Sequence, residues 1–216
     1  GVANASYGLP DLALTSRDNV LEDLRRIKGV CDLPILVDCD TGWGSGLNIS
    51  KTIKEMINAG ADAVHLEDQV SEKRCGHRPG KEIVSSDEME DRIKAAKDSV
   101  DNKNFMLMAR TDAFSKEGIS SVIDRSNAYI EAGADSIFPE AITKLDDYLE
   151  ISKNVNAPIL ANITEFGLTP MFEINELKNS GVKMILYPLS AFRAMSKAAE
   201  EIYEELAEQE TLKNKL

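Results

Sequence analysis

The sequence predicts an α/β fold, a (β/α)8 TIM-type barrel, on three observations: short apolar runs alternate with amphipathic stretches, parts of the chain echo one another, and the predicted strands end in polar residues. Six runs read as strands: Ile35–Asp40, Ala63–Glu67, Phe105–Arg110, Ser136–Pro139, Ile159–Ile163 and Lys183–Tyr187. Continuous apolar strands separated by helices require a parallel sheet covered on its outer face. "AGADAVHLE" (59–67) returns as "AGADSIFPE" (132–140), and "PILVDCD" (34–40) is echoed by "PILANIT" (158–164), with polar residues at the same offset each time. An open doubly wound sheet would gather such ends at one switch point, whereas here they are spread along the strands. A barrel takes eight strands over roughly 250 residues. Residues 1–216 are therefore expected to form a single barrel domain, incomplete at both ends.

The intervening segments carry helix punctuation. Thr15-Ser-Arg-Asp18 and Ser85-Ser-Asp-Glu88 have the spacing of capping boxes, and Gly60, Gly133 and Gly181 stand where a helix needs a residue free to adopt positive φ. Ile49, Ile53, Met56 and Ile57, and later Val122, Ile123, Tyr129 and Ile130, recur at helical spacing. The tail, 200–210 (EEIYEELAEQE), keeps an apolar stripe of Ile202, Tyr203 and Leu206, which suits a helix that covers the barrel or contacts another subunit.

Composition removes several classes of function. A formal charge of −12, from 25 Lys+Arg against 37 Asp+Glu, repels phosphate backbones and anionic membranes, so no nucleic acid or membrane partner is expected. No apolar run approaches the roughly 20 residues of a membrane span, and the amino terminus lacks the layout of a signal peptide. The chain reads as soluble and cytoplasmic. Its three cysteines, without repeating spacing, are expected to be free thiols in a reducing compartment.

Candidate chemistry sits at the strand ends. Side chains two apart on a strand share a face, so Asp38 and Asp40 project together with oxygens suited to a hard cation such as Mg2+ (or Mn2+), and Glu67 reaches the same mouth. The alternative is that these acids cap the loop 41–46 (TGWGSG) or pair with lysines. That loop has neither the GxGxxG order nor the Gly-Lys-Ser/Thr ending of a phosphate cradle, and Trp43 is expected to pack beneath it. Cys39, between the two aspartates, should face the helices, and Cys31 should be a small buried hydrophobe. Cys75 differs, because Lys73, Arg74, His77 and Arg78 around it favour its thiolate. His65, on a strand, suits internal hydrogen bonding as well as catalysis.

The stretch "KRCGH" (73–77) resembles the active-site loop of the isocitrate lyase and phosphoenolpyruvate mutase superfamily. "ASYGLPD" (5–11), "LVDCDTGWG" (36–44), "HLEDQV" (65–70), "KRCGHRPGK" (73–81), "MARTDA" (108–113), "FPEA" (138–141), "ANITEFG" (161–167) and "LYPLSAFRAM" (186–195) follow in that family's order, and "ANITEFG" with "YPLSAFR" is similar to the methylisocitrate branch. The resemblance implies a magnesium site at Asp38 and Asp40, supported through water by Glu67 and Asp11. It implies a loop carrying Cys75 and Gly76 that closes over substrate, and substrate contacts from Arg110, Glu140, Asn162, Ile163, Thr164 and Arg193. It also implies a homotetramer that exchanges a carboxyl-terminal helix; the chain is expected to stop before that helix and to start just after a Tyr-x-Ser-Gly-Gly substrate segment.

The implied reaction is cleavage of a small tricarboxylate, 2-methylisocitrate, to pyruvate and succinate. Breaking a C–C bond beside a hydroxyl calls for a metal to hold that hydroxyl, and for cations, here Arg110, Arg193, Lys73 and His77, to hold the departing dianion. It also calls for an acid, Cys75, to protonate the carbanion, with Glu140 or His65 adjusting its state. Isocitrate lyase is the near alternative. A phosphonopyruvate mutase or oxaloacetate decarboxylase on the same scaffold has no evident need for the cysteine, and a non-catalytic barrel would leave the polar strand ends without a purpose.

Overall fold

The computed structural model describes residues 1–101 and 104–213. Among them, six strands alternate with eight helices: α1 Val2–Tyr7, α2 Arg17–Lys28, β1 Leu36–Asp38, α3 Gly46–Ala59, β2 Ala63–Glu67, α4 Ser86–Lys97 and β3 Met106–Thr111. The order continues with α5 Phe114–Glu131, β4 Ser136–Pro139, α6 Leu145–Asn154, β5 Leu160–Asn162, α7 Ile174–Asn179, β6 Met184–Leu186 and α8 Ser190–Gln209. Each predicted strand is present: β2 and β4 have the expected bounds, β1, β5 and β6 are one or two residues shorter at their ends, and β3 is shifted by one residue to end at Thr111.

Strand order decides between the two α/β architectures. β1 to β4 pair in sequence order, all parallel, a parallel bridge between Ile137 and Ile159 carries β4 onto β5, and β5 pairs with β6. Nothing in this order reverses, as it would at the switch point of a doubly wound sheet. The strands form a curved wall in chain order, the layout of a (β/α) barrel.

Residue alternation then sorts the two faces. Val37, Cys39, Val64, Leu66, Leu107, Ala109, Ile137 and Ala161 point outward into the large core shared with Ile49, Ile53, Met56, Met89, Ile93, Val122, Tyr129, Tyr148 and Ile151 of the helices. A second, smaller cluster of Met108, Phe138 and Leu160, with Leu36, Met106, Met184 and Leu186 against it, fills the inside of the wall. Burying a leucine-sized side chain contributes about 2 kcal/mol, so the outer layer carries most of the driving force and the inner layer plugs the barrel below the strand ends.

Three sequence expectations shift. The capping box of α2 uses Ser16 and Asn19 rather than Thr15 and Asp18, because the Ser16 hydroxyl accepts from the Asn19 amide at 3.2 Å and the Asn19 side chain accepts from the Ser16 amide at 3.0 Å. Ser85 does cap α4 through the Glu88 amide, and the three glycines all have positive φ, Gly60 as the C-cap of α3 and the other two one residue beyond theirs. Cys31 is half-buried rather than buried, since α2 ends at Lys28 and leaves it on the connection to β1. The tail helix α8 has no buried residue, so it does not cover the barrel.

Candidate active site

Register builds the site in rows. Asp38 is paired with His65, His65 with Met108 and Met108 with Ser136; one layer higher Glu67 is paired with Arg110 and Arg110 with Phe138. Paired residues of a parallel sheet share a face, so the inner face changes from apolar to ionic within two residues of each strand's carboxyl end. Above this floor opens a cleft of about 180 Å3 lined by Asp38, His65, Lys73, Cys75, Arg110, Glu140, Asn162, Thr164 and Arg193, with an apolar side of Phe138, Leu186, Pro188 and Leu189.

One side of the mouth is acidic. Asp38 is 52% exposed to the cleft, accepts from the Asp40 amide at 2.9 Å and lies 3.7 Å from His65 Nδ1. The enclosing walls work against its charge, yet His65, Lys73, Arg110 and the Asp40 amide hold its carboxyl below the ordinary aspartate range. Asp40 adopts φ 46, an unusual conformation for a residue with a side chain. Burial and the neighbouring Asp38 push its pKa up to about 6, with Lys73 opposing. The Lys73 ammonium, itself buried, stands between these groups, 2.6 Å from Asp40 Oδ1 and 2.8 Å from Asp11 Oδ1. Burial alone would discharge it; the carboxylates of Asp38, Glu67, Asp40 and Asp11 raise its pKa instead and keep it cationic.

Glu67 is fully buried, and neither of its oxygens has a hydrogen-bond partner, although Arg110 Nη1 is 3.3 Å away. Burial drives its pKa well above the ordinary value, and Arg110 only partly offsets this. Among the described residues, no three His, Cys, Asp or Glu side chains gather tightly enough to hold an ion, since Lys73 sits among the acids. The chemistry of the donor set nevertheless fits Mg2+: the groups are hard oxygens, and Glu67 carries two that lack a donor.

The opposite side is a ladder of alternating charge. Asp112 receives Arg110 Nε at 2.9 Å and Nη2 at 3.3 Å, and Lys81 Nζ at 3.0 Å. Burial opposes its ionisation, but these two cations hold its pKa below the usual range. Glu140 lies 3.6 Å from Arg110 Nη1 and 2.6 Å from His77 Nε2, and the Asn162 amide donates to it at 3.3 Å. The same balance lowers Glu140, with burial opposed by Arg110 and by the His77 hydrogen bond. The Leu168 amide donates to His77 Nδ1 at 3.0 Å, so Nδ1 is unprotonated and the proton sits on Nε2, facing Glu140. His65 is kept neutral by burial, and its Nδ1 has no hydrogen-bond partner, like Asn162 Oδ1 nearby.

Segment 71–81 lies across this ladder. Its stems are zipped by Val70 N to Glu82 O at 3.0 Å and Val84 N to Asp68 O at 2.8 Å, and the Gln69 side chain clasps the Arg74 backbone from both sides, at 2.9 and 3.0 Å. A Cβ added to Gly76 would lie 2.5 Å from Asp112 Oδ1 and 2.6 Å from Arg110 Nη2, and closer still to Glu140 Cγ. Gly76 is thus required for close approach, whereas Gly80, with φ 81, supplies a turn. Cys75, half-buried, borders the cleft.

The structure brings Asp11, Asp38, Lys73, Cys75, Gly76, His77, Arg110, Glu140, Asn162, Thr164 and Arg193 to one mouth, with Asp40 and Glu67 behind the acidic side. Two expected roles are corrected. Ile163 is fully buried in the outer core, because alternation turns it away from Asn162 and Thr164. His77 is not free to hold substrate, because the Leu168 amide and Glu140 occupy its two ring nitrogens. Arg193 binds Thr164 Oγ1 at 3.3 Å and the Glu165 carbonyl at 2.7 Å, and its guanidinium lies over Phe166, 5.3 Å from the ring centroid. Sequence reasoning missed Lys81 and Asp112 as site residues; the signal was the lysine closing "KRCGHRPGK" and the i, i+2 pair Arg110 and Asp112. It also missed Asp68, which receives Thr111 Oγ1 at 2.7 Å, the Asp112 amide at 2.8 Å and Tyr129 OH at 2.9 Å and so fixes the residues that hold Arg110.

This geometry has relatives. Residues 1–207 match the phosphoenolpyruvate phosphomutase family. The 2-methylisocitrate lyase of Vibrio cholerae is 58% identical over 214 residues, 96% of this chain and 70% of that protein. That of Salmonella typhimurium is 55% identical over 215 residues, covering 99% and 73%. Among solved structures, 2,3-dimethylmalate lyase superposes with a TM-score of 0.93 at 30% identity over 98% of this chain and 72% of that one. A phosphonopyruvate hydrolase solved with oxalate and Mg2+ superposes at 0.85 with 26% identity, covering 98% and 74%. With a parallel barrel wall, a carboxylate cluster and a cysteine loop over its mouth, the chain belongs to the phosphoenolpyruvate phosphomutase family, among the 2-methylisocitrate lyases of the isocitrate lyase superfamily.

Proposed function

We propose that the chain cleaves 2-methylisocitrate to pyruvate and succinate with Mg2+ as cofactor, acting in the cytoplasm as a homotetramer. The observation that carries the reading is that the Cys75 thiol, Asp38 and Asp11 of the acidic side, and Arg110 with Glu140 border one cleft. Asp38 and Asp40 would hold Mg2+, with Glu67 and Asp11 in support. Bound there, Mg2+ supplies Lewis acidity to the substrate hydroxyl and its neighbouring carboxylate.

The chain's own groups supply the rest. Arg110 and Lys73 remain cationic throughout, because burial is outweighed by the acids around them, and with Arg193 they attract and orient carboxylates. Lys73 would face the acidic side of the substrate and Arg193 the distal end, beside Thr164. Asn162 contributes a neutral donor and His77 holds Glu140 in place. As the C–C bond breaks, the substrate hydroxyl gives its proton to a carboxylate of the mouth and becomes the carbonyl of pyruvate, while the bond's electron pair stays with the succinate carbon as an aci-carboxylate; the Cys75 thiol protonates that carbon and is left as a thiolate, which the proton held on the carboxylate then restores. The segment over the mouth excludes water meanwhile. Leu186, Pro188 and Leu189 give an apolar wall for the methyl group that separates this substrate from isocitrate, a distinction worth about 1–3 kcal/mol.

A coupled assay of pyruvate release tests the reading, with Mg2+ or excess chelator and with isocitrate as competitor. Chelation should abolish turnover and Mg2+ restore it. Cys75→Ser should bind substrate as wild type does while losing most turnover, roughly 100-fold or more. Glyoxylate in place of pyruvate would overturn the substrate, and normal turnover by Cys75→Ser would overturn the proton donor.

A further inference from the structure

We infer that Lys81 is a positioning residue that latches the Cys75 loop onto the Arg110 ladder, an inference that rests on the proposed role of Cys75. Its Nζ donates to the Gly76 carbonyl at 2.7 Å and to Asp112 Oδ1 at 3.0 Å, and the side chain is only 4% exposed. One buried cation therefore ties the backbone next to the thiol directly to the carboxylate that grips Arg110 through two hydrogen bonds.

The local chain is arranged for this grip. Arg78 N donates to Cys75 O at 2.9 Å, and Gly80 turns at positive φ, so the segment doubles back and places Lys81 beneath its own loop. Gly76 presents no side chain, which lets its carbonyl lie against the ladder. A lysine buried this deeply is retained only when paired and hydrogen-bonded, and both partners here belong to the proposed machinery rather than to the core. Asp112 in turn is held by Asp68 through its amide at 2.8 Å, so its carboxylate is a fixed anchor. The stems are fastened independently, by Gln69 on Arg74 and by the 68–70 and 82–84 pairing. Lys81 is thus what sets the tip, and with it the distance from thiol to cleft, while fold and stems stand without it.

The test uses the full chain and two separable readouts. The first needs no substrate: the rate of Cys75 alkylation by iodoacetamide, read by peptide mass with half-buried Cys31 as internal reference. In Lys81→Met the latch is gone, and the Cys75 rate relative to Cys31 should rise about tenfold, the factor for losing one hydrogen bond from a charged donor. The second is turnover: kcat should fall about tenfold or more in Lys81→Met with a smaller change in KM, and Lys81→Arg, which keeps charge and donors, should recover part of both. Lys81→Gln, closer in polarity, gives the same readouts if the methionine variant does not fold. A purely structural lysine would lower the melting temperature and raise both cysteine rates together; that outcome, or an unchanged Cys75 rate with unchanged kcat, overturns the latch. Absence of pyruvate release by the wild type would overturn the assigned reaction instead, while the alkylation ratio would still decide the latch.

Discussion

At the scale of single residues, the mouth is governed by which buried charge outlasts desolvation. Asp112 does so because Arg110 and Lys81 bracket it, and its folded pKa lies below the ordinary aspartate value of 3.8. A carboxylate lowered in this way contributes stability that is complete above its unfolded pKa and lost as pH falls through the folded one. Asp112→Asn should therefore destabilise by about 3 kcal/mol at neutral pH, the cost of leaving buried partners of an ion pair behind. The gap in melting temperature between variant and wild type should close as the buffer is taken below about pH 4. A gap independent of pH would mean that Asp112 acts by shape and not by charge. The sequence made much of this site readable, because i, i+2 spacing at a strand end places Asp38 with Asp40 without any coordinates. It misassigned Ile163 where a segment was taken whole instead of by alternation. It could not expose the engagement of His77 by the Leu168 amide 91 residues away, or the Asp68 network, whose partners arrive from β3 and α5.

At the scale of elements, the loop 71–81 is an insertion between β2 and α4 whose closure depends on one missing side chain. The Gly76 backbone rests against three groups that are each held by others: Glu140 by His77 and Asn162, Asp112 by Lys81 and Asp68, Arg110 by Asp112. None can give way alone, so Gly76→Ala must lift the loop, and Cys75 with it. A displacement on the order of 1 Å costs about 100-fold in rate. We expect kcat to fall by that order, with a melting temperature within a few degrees of wild type because the hydrophobic core is untouched. Full turnover by Gly76→Ala would show that Cys75 does not need this closed position. The strands and helices were legible in the sequence because each strand alternates between the outer core and the inner face and each helix buries one stripe on the outer core, so the pattern repeats along the chain. Boundaries were less so. Whether Ser16 or Thr15 caps α2 turns on the one residue at which the backbone leaves the extended conformation, which periodicity does not record.

At the scale of the whole molecule, α8 is the element that the rest of the chain leaves uncovered. It is 20 residues long with none buried, Met195 and Tyr203 are 64% and 73% exposed, and Leu206 is 40% exposed. Met195, Ile202 and Leu206 recur at helical spacing, with Tyr203 adjoining them, so they form a stripe of the kind that a helix buries against a partner. No helix among the described residues is long and apolar enough to cross a membrane, so a bilayer-spanning role does not account for the stripe. Arg193, at the first turn of α8, reaches Thr164 and Glu165 at the rim of the cleft, so a partner that fixes the helix also fixes a proposed substrate contact. A second copy of this chain is the occupant consistent with the tetramer proposed above, and it links assembly to catalysis. Tyr203→Glu combined with Leu206→Glu should shift sedimentation equilibrium from tetramer toward smaller species. It should also raise KM for the tricarboxylate more than it lowers kcat, since Arg193 serves binding and the Cys75 loop is untouched. A wild-type chain that sediments as a monomer at micromolar concentration, or a double variant that remains a tetramer with normal KM, would remove α8 from the interface and leave Arg193 to act on its own.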